Sequence, residues 1–387
     1  MAITQQKKQE ALPELERKPR LQILESLRGI AAISIVLFHF LRVYENHVAN
    51  FIIELGRIGT DVFFVLSGFL TAIAAKSVIE GKRSPLEFLA SRAYRIYLVY
   101  FFSLICSALV IPIAIGLLSF LKHHSLEFDF VSFSVADWIK IITLTKVFDS
   151  TDWILYKSFL PLNGVYWFIA VIVQIYCFIF ICLLYKNLFY WLSTITGLLS
   201  IICLYPAVKQ TIPYGFFIER FHEFFFGMVS YWIYSKYGAD LFKIPRVIIV
   251  LILMTIPILN LTITNEQILR SAWALLLAIL IPCLLINNHQ NQGSKIIFLF
   301  SFLGKFSFSI YLLHIPLFPL VEMLSRNLTG LSKEIYIPLV VFPAIIFICY
   351  YWSLFFEKPG SLNGIIKAIK NPMKTILNEP ATPIPRN

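Results

Sequence analysis

Charge is scarce in this chain. Asp, Glu, Lys and Arg make up only 14% of its 387 residues, too few to coat a soluble domain of that length with water-facing side chains, so the soluble globular class is excluded. Cysteine is sparse as well, and Cys106, Cys177, Cys182, Cys203, Cys283 and Cys349 all fall inside apolar runs with no CxxC pair. That excludes a disulfide scaffold and a cysteine metal site, and leaves buried core thiols. His47, His123, His124, His222 and His289 lack ligand spacing, so no metal is expected. The opening "MAITQQKKQEALPELERKPR" contains no apolar core, which argues against a cleavable signal peptide and for a cytoplasmic tail. No internal repeat is evident, which weighs against an inverted-repeat transporter.

What the chain has in abundance is apolar surface: 58% of its residues are hydrophobic and 16% aromatic. Ten runs approach the length of about 20 residues that a spanning helix needs: 24–44, 58–79, 95–119, 164–185, 188–206, 216–235, 246–263, 269–286, 299–322 and 335–356. The expected fold is therefore an all-α polytopic membrane protein of about ten transmembrane helices. It divides into an N-terminal tail (1–23), a membrane domain (24–357) and a proline-rich C-terminal tail (358–387). Within the long connection 121–163, "FSVADWIKIITLTKVF" reads as a short helix at the headgroup level, flanked by Trp138, Trp153 and Tyr156.

The net charge of +11 is spread through the short gaps between these runs, a pattern of membrane topology and not of nucleic-acid binding. Basic residues collect at Lys7 to Arg20, at Lys82 to Arg95, at Lys186, at Lys236 to Arg246, at Lys295 and Lys305, and after Lys358. The intervening loops carry acids such as Glu127, Asp129, Asp149 and Asp152. Both termini are accordingly expected in the cytoplasm.

Against this apolar background a few polar residues stand out. In "LESLRGIAAISIVLFHF" (Leu24 to Phe40), Arg28 and His39 lie eleven residues apart, three helical turns plus about 20°. They share one helix face, about 16 Å apart along the axis. Ionisable groups on a spanning helix are costly and usually functional when they face the bundle interior. A snorkelling anchor at Arg28 and a packing histidine at His39 remain the alternative.

The segment resembles the opening motif of the family-3 membrane acyltransferases, polytopic enzymes that O-acylate bacterial surface glycans. The likeness continues through "GTDVFFVLSGFL" (Gly59 to Leu70), the Arg-x-x-Arg of "SRAYRIYLVY" at Arg92 and Arg95, "ERFHEFFFGM" (Glu219 to Met228), "LGKFSFSIYLLHIPL" (Leu303 to Leu317) and the closing "FFEKP". It departs at "NGVYWFIAVIVQIY", where many members carry a glutamate and this chain has Trp167, Gln174 and Tyr176 without an acid. That leaves the identity of the acceptor open.

The resemblance implies an O-acyltransferase of the bacterial inner membrane that moves an acyl group, by expectation acetyl, from cytosolic acyl-CoA to a sugar hydroxyl. The acceptor would be a surface polysaccharide, lipopolysaccharide or lipid-linked precursor. Acyl-CoA is a co-substrate, with no bound cofactor; membrane lipids are the other partners and nucleic acid is not one. Guanidinium groups bind phosphates in a bidentate fork, which suits Arg28, Arg92 and Arg95 to the CoA phosphates. Acyl transfer needs a base to take the hydroxyl proton, and a neutral imidazole at His39 serves near pH 7.

Asp61 and Ser67 read as packing and substrate-lining residues, the alternative being Ser67 as a covalent nucleophile, which would need a nearby base. Ser307, Tyr311 and His314 fall at steps of four and three on one helix face, where His314 either supports His39, binds acceptor or makes a structural hydrogen bond. Arg220 and Glu223, three apart, are expected to pair while shaping the acceptor side together with Trp167. The rival reading is a transporter or flippase of a lipid-linked or anionic substrate, with Arg28 and His39 as binding or proton-relay groups.

Overall fold

The computed structural model describes residues 14–40, 56, 58–122, 133–150, 159–160, 162–205, 208, 212–242, 265–287, 295–325 and 337–357. Among them are eleven α-helices and no strand. In chain order these are α1 (Glu14–Phe40), α2 (Gly59–Ile79), α3 (Pro85–Lys122), α4 (Val135–Ile142), α5 (Tyr166–Leu184) and α6 (Phe189–Ile202). There follow α7 (Ile218–Phe242), α8 (Glu266–Asn287), α9 (Lys295–Gly304), α10 (Ser307–Ser325) and α11 (Phe342–Phe356).

Six stretches are helical, long and apolar enough to cross a membrane: Gln22–Phe40, Gly59–Ile79, Pro85–Ile113, Tyr166–Leu184, Gln267–Ile286 and Leu339–Phe356. Counting α9 and α10 as one bent span gives up to seven. Two more expected spans fall on helices outside this set. Helix α6 has 14 residues, about 21 Å of rise against a hydrocarbon core of about 30 Å. Helix α7 is long enough but carries Glu219, Arg220 and Glu223 in its first turns. The run 246–263 lies outside the described residues, as do Trp153, Tyr156, His47, His123, His124, His289 and the tail 358–387.

Local chemistry explains where the helices start. The third was expected near residue 95 but begins at Pro85, because Ser84 and Glu87 form a capping box: the Glu87 amide donates to Ser84 Oγ (3.1 Å) and the Ser84 amide to Glu87 Oε2 (3.0 Å). Pro85 sits at the first helical position, where its missing N–H costs nothing. Arg92 and Arg95 therefore lie two to three turns inside a helix and share one of its faces. A second box, Ser134 with Asp137, starts the short helix α4 within the expected interfacial segment. Helix α1 begins at Glu14, so part of the expected N-terminal tail is helical.

The ninth expected span, 299–322, is not one rod. Helices α9 and α10 meet at 69° around Lys305 and Phe306. The last amides of the break return to Ser301, Phe302 and Leu303 carbonyls, closing α9 before α10 begins.

Two glycine crossings draw the bundle together. A Cβ on Gly68 of α2 would lie 1.9 Å from the Phe224 carbonyl of α7, and one on Gly227 would lie 2.0 Å from the Val65 carbonyl. Gly29 of α1 and Gly304 of α9 meet the Phe300 and Glu25 carbonyls in the same way, at 2.1 and 1.8 Å. Small residues let membrane helices approach closely enough for packing to hold them, since lipid tails remove the hydrophobic drive between helices. The interior is filled by aromatic and aliphatic side chains, among them Phe64, Phe168, Phe224 and Tyr311. The outer faces are apolar too: Phe298 and Phe355 are each 67% exposed, as lipid-facing side chains are.

Candidate active site

The bundle carries polar residues in three groups. The first gathers around Arg28 of α1. Arg92, Arg95, Tyr176 and Glu357 all lie near enough to act on its charge. Arg28 is half-buried, and its Nε is buried without a hydrogen-bond partner. The Arg92 guanidinium rests against Tyr176 (5.4 Å to the ring centroid) and Phe88 (5.7 Å), with a long 3.4 Å contact from Nη2 to the Leu70 carbonyl. Arg95 is exposed. Glu357, just after α11, receives the amide and hydroxyl of Ser309 on Oε1, both at 2.5 Å, which fastens the end of α11 to the first turn of α10. Among the described residues this group holds three guanidinium groups and one carboxylate, which Ser309 already engages. The surplus is positive, and an anion would balance it.

The second group is a histidine pair. His39, near the C-terminal end of α1, and His314 of α10 have ring centroids 5.1 Å apart. His314 is fully buried, and its Nδ1 lies 3.1 Å from the Ile310 carbonyl. A carbonyl only accepts, so Nδ1 carries the hydrogen and Nε2 keeps a lone pair. That Nε2 is buried with no hydrogen-bond partner. Next along α10, Tyr311 donates to the Val165 carbonyl (2.7 Å), fixing α10 against the start of α5. Asn163 adds a 2.8 Å bond to the Leu312 carbonyl.

The third group lies where α2, α5, α7 and α8 begin. Asp61 is fully buried, and its Oδ1 accepts from Arg270 Nε (3.0 Å) and Nη2 (2.7 Å). Arg270 Nη2 also reaches Thr60 Oγ1 at 2.7 Å. Beside it the expected pair forms, Arg220 Nη1 to Glu223 Oε1 at 2.9 Å, with the Arg220 guanidinium 5.8 Å from the Trp167 ring centroid. His222 is clasped between Ser200 Oγ (3.1 Å from Nδ1) and Ser271 Oγ (2.9 Å from Nε2), joining α6, α7 and α8. Gln174 donates to the Gly215 carbonyl (3.0 Å) and accepts from the Phe217 amide (3.1 Å). In this chain the residue that stands near the expected acid therefore stitches the loop that leads into α7.

The structure thus joins Arg28 with Arg92 and Arg95, His39 with His314, and Asp61 with Arg220, Glu223 and Trp167. Ser67 stays apart. It is half-buried in α2. Ser307 is buried at the start of α10 on the stripe with Tyr311 and His314. Arg270, His222 and Glu357 were not among the residues singled out as sites. Arg270 had one signal, a lone cation entering an apolar run; its partner Asp61 is 209 residues away, which spacing alone does not reveal.

The chain was compared with known proteins. A family model described as an acyltransferase domain matches residues 21–358, a span that takes in all three groups. No curated protein and no solved structure matches.

Proposed function

We propose, from the premise that this chain belongs to the family-3 acyltransferases and is a membrane acyltransferase, that it transfers an acetyl group from cytosolic acetyl-CoA to a sugar hydroxyl of a bacterial surface glycan or its lipid-linked precursor. The observation that carries this reading is the pairing of His39 and His314 near the C-terminal end of a helix that, three turns earlier, holds Arg28 in a cluster with Arg92 and Arg95. A phosphate-bearing donor suits the surplus of positive charge, and its pantetheine arm is long and narrow enough to thread toward the histidines. The arginine end is the cytoplasmic one in this scheme, both termini lie on that side, and the acceptor arrives from the other. Ten spans in the inner membrane complete the topology.

In the reaction the acceptor oxygen attacks the thioester carbonyl carbon while an imidazole takes its proton. His39 is that base. The tetrahedral intermediate then collapses: the C–S bond breaks, the O-acyl ester stays on the sugar, and the imidazolium returns the proton to the CoA sulfur. His314, held as the Nδ1–H tautomer by Ile310, offers its Nε2 lone pair beside His39 and steadies the proton there. A base inside the bundle has a purpose on this account, because one site then draws on both compartments.

Membranes containing wild-type protein should move radiolabelled acetyl from acetyl-CoA to glycan. His39→Ala at equal expression should lower the rate about 10²–10⁴-fold, and His314→Gln should lower kcat less while sparing the donor KM. Full transfer by His39→Ala would remove that residue as the base. Labelled CoA unconsumed by any membrane, with substrate moved unchanged, would favour the transporter reading.

A further inference from the structure

We propose that Asn163 is a positioning residue for His314: it grips the turn of α10 that a proline leaves open, and so holds the His314 imidazole against His39. The inference rests on the acyltransferase reading above and adds a residue to its machinery. The sequence supplies the reason for the grip. Helix α10 (Ser307–Ser325) carries Pro316 in its interior, two residues beyond His314. Proline has no N–H, so the carbonyl four residues before it loses its helical partner. That carbonyl belongs to Leu312. Membrane helices tolerate such a break where neighbouring groups supply the missing donor.

Two neighbours do so here. Asn163, just before α5, donates from Nδ2 to the Leu312 carbonyl at 2.8 Å, and Ser103 Oγ of α3 reaches the same oxygen at 3.3 Å. The Asn163 amide is held in that orientation, because its Oδ1 accepts from the Val165 amide at 3.2 Å. Ser103 is held as well: Tyr166 Oη lies 3.1 Å from its Oγ and 3.0 Å from Ser107 Oγ. With the Ser103 hydrogen given to Leu312, Tyr166 donates to Ser103 and Ser107 to Tyr166, so donation runs one way through the chain. Ser103, Ser107, Asn163 and Tyr166 are all fully buried, where a bond left unmade is costly. Tyr311 adds its 2.7 Å bond to the Val165 carbonyl, and α10 is thereby clamped to residues 163–165 within one turn of His314. The hydrogen bond of the His314 ring is to its own helix, at the Ile310 carbonyl, so the placement of that helix sets where the unpartnered Nε2 points beside His39.

The test uses the full chain in membranes. Asn163→Ala should lower kcat for acetyl transfer about 10–100-fold, as a small misplacement of a catalytic group does, and leave the KM for acetyl-CoA near its wild-type value. With isotope-labelled histidine, solid-state NMR should show the His314 imidazole signal, identified by its loss in His314→Gln, shifted in Asn163→Ala. Adding Pro316→Ala returns a helical N–H to the Leu312 carbonyl without restoring the link to α5. Resistance to unfolding should then recover, while kcat stays low and the His314 signal stays shifted. Should Asn163→Ala alone fail to fold, this double variant decides. Recovery of kcat together with stability would overturn the proposal, since Asn163 would then serve the carbonyl and nothing more. So would an unmoved His314 signal, or a loss confined to KM. No acetyl transfer by the wild type would overturn the transferase reading instead, and the His314 signal would still decide whether Asn163 positions the ring.

Discussion

The arginine end and the carboxylate end of this bundle use the same residue types to opposite effect. Around Arg28, Arg92, Arg95 and Glu357 gather, the Glu357 Oε1 is already engaged by Ser309, and Arg95 is open to solvent. Around Asp61, Arg270 donates to Asp61 and Arg220 to Glu223 through charge-assisted hydrogen bonds of 2.7–3.0 Å. The first group has charge to spare, and its carboxylate fastens α11 to α10. In the second, each of these two arginines is paired with a carboxyl, and the group lies where four helices begin. The difference teaches that an arginine inside a membrane protein is read from its balance sheet of partners, and that only the unbalanced cluster is set up to receive an anion.

Substitutions should separate the two ends. The largest stability loss should come from Asp61→Ala, which removes the buried carboxyl that Arg270 Nε and Nη2 both donate to. Breaking a buried pair from one side costs about 3–5 kcal/mol, and unfolding of purified protein in detergent should show it, while Arg95→Gln should leave stability close to wild type. Comparable losses for both would erase the contrast. A smaller effect is expected from Gly68→Ala, whose new Cβ would press on the Phe224 carbonyl. Overpacking of that kind costs about 1–3 kcal/mol, and it should loosen amide protection in α2 and α7 before it disturbs α1.

The smallest effect should appear in α4, which belongs to neither end. The Lys146 ammonium, followed by the Ser134 hydroxyl and amide, holds the Asp137 carboxyl well below the usual carboxylate range. A depressed acid in the folded state stabilises at every pH above its unfolded value of about 3.9 and loses that contribution as the pH falls through the folded one. The hydrogen-exchange protection factors in α4, with the intrinsic pH dependence of exchange divided out, should therefore be flat from pH 7 to about 4 and fall below it. Asp137→Asn should abolish the step. A step near pH 6 instead would assign it to another group.

Much of this arrangement was legible beforehand because it rests on local spacing. Arg28 and His39 share a helix face by arithmetic, Arg92 and Arg95 likewise, and Arg220 reaches Glu223 one turn on. The start of α3 was also written in the sequence, as Ser-Pro-Leu-Glu at 84–87, but the apolar run that begins ten residues later is a louder signal than a capping box. The bend between α9 and α10 had Gly304 and Lys305 as its trace within an otherwise apolar stretch. Contacts between distant segments left no such trace. Asp61 with Arg270 and Glu357 with Ser309 each join parts of the chain that only the packed bundle brings together, whereas His314 beside His39 was one of several readings that the sequence left open.

The most direct measurement of the central claim is the equilibrium affinity of the purified full chain for acetyl-CoA, wild type against an Arg92→Gln, Arg95→Gln double variant, across a range of salt. Each lost hydrogen bond to a charged group is worth about 1.5–3 kcal/mol. The account predicts binding weakened at least tenfold, with a shallower dependence on salt than in wild type. Unchanged affinity and salt dependence in the double variant would show that the donor does not use the arginine end, and the account would fall with it.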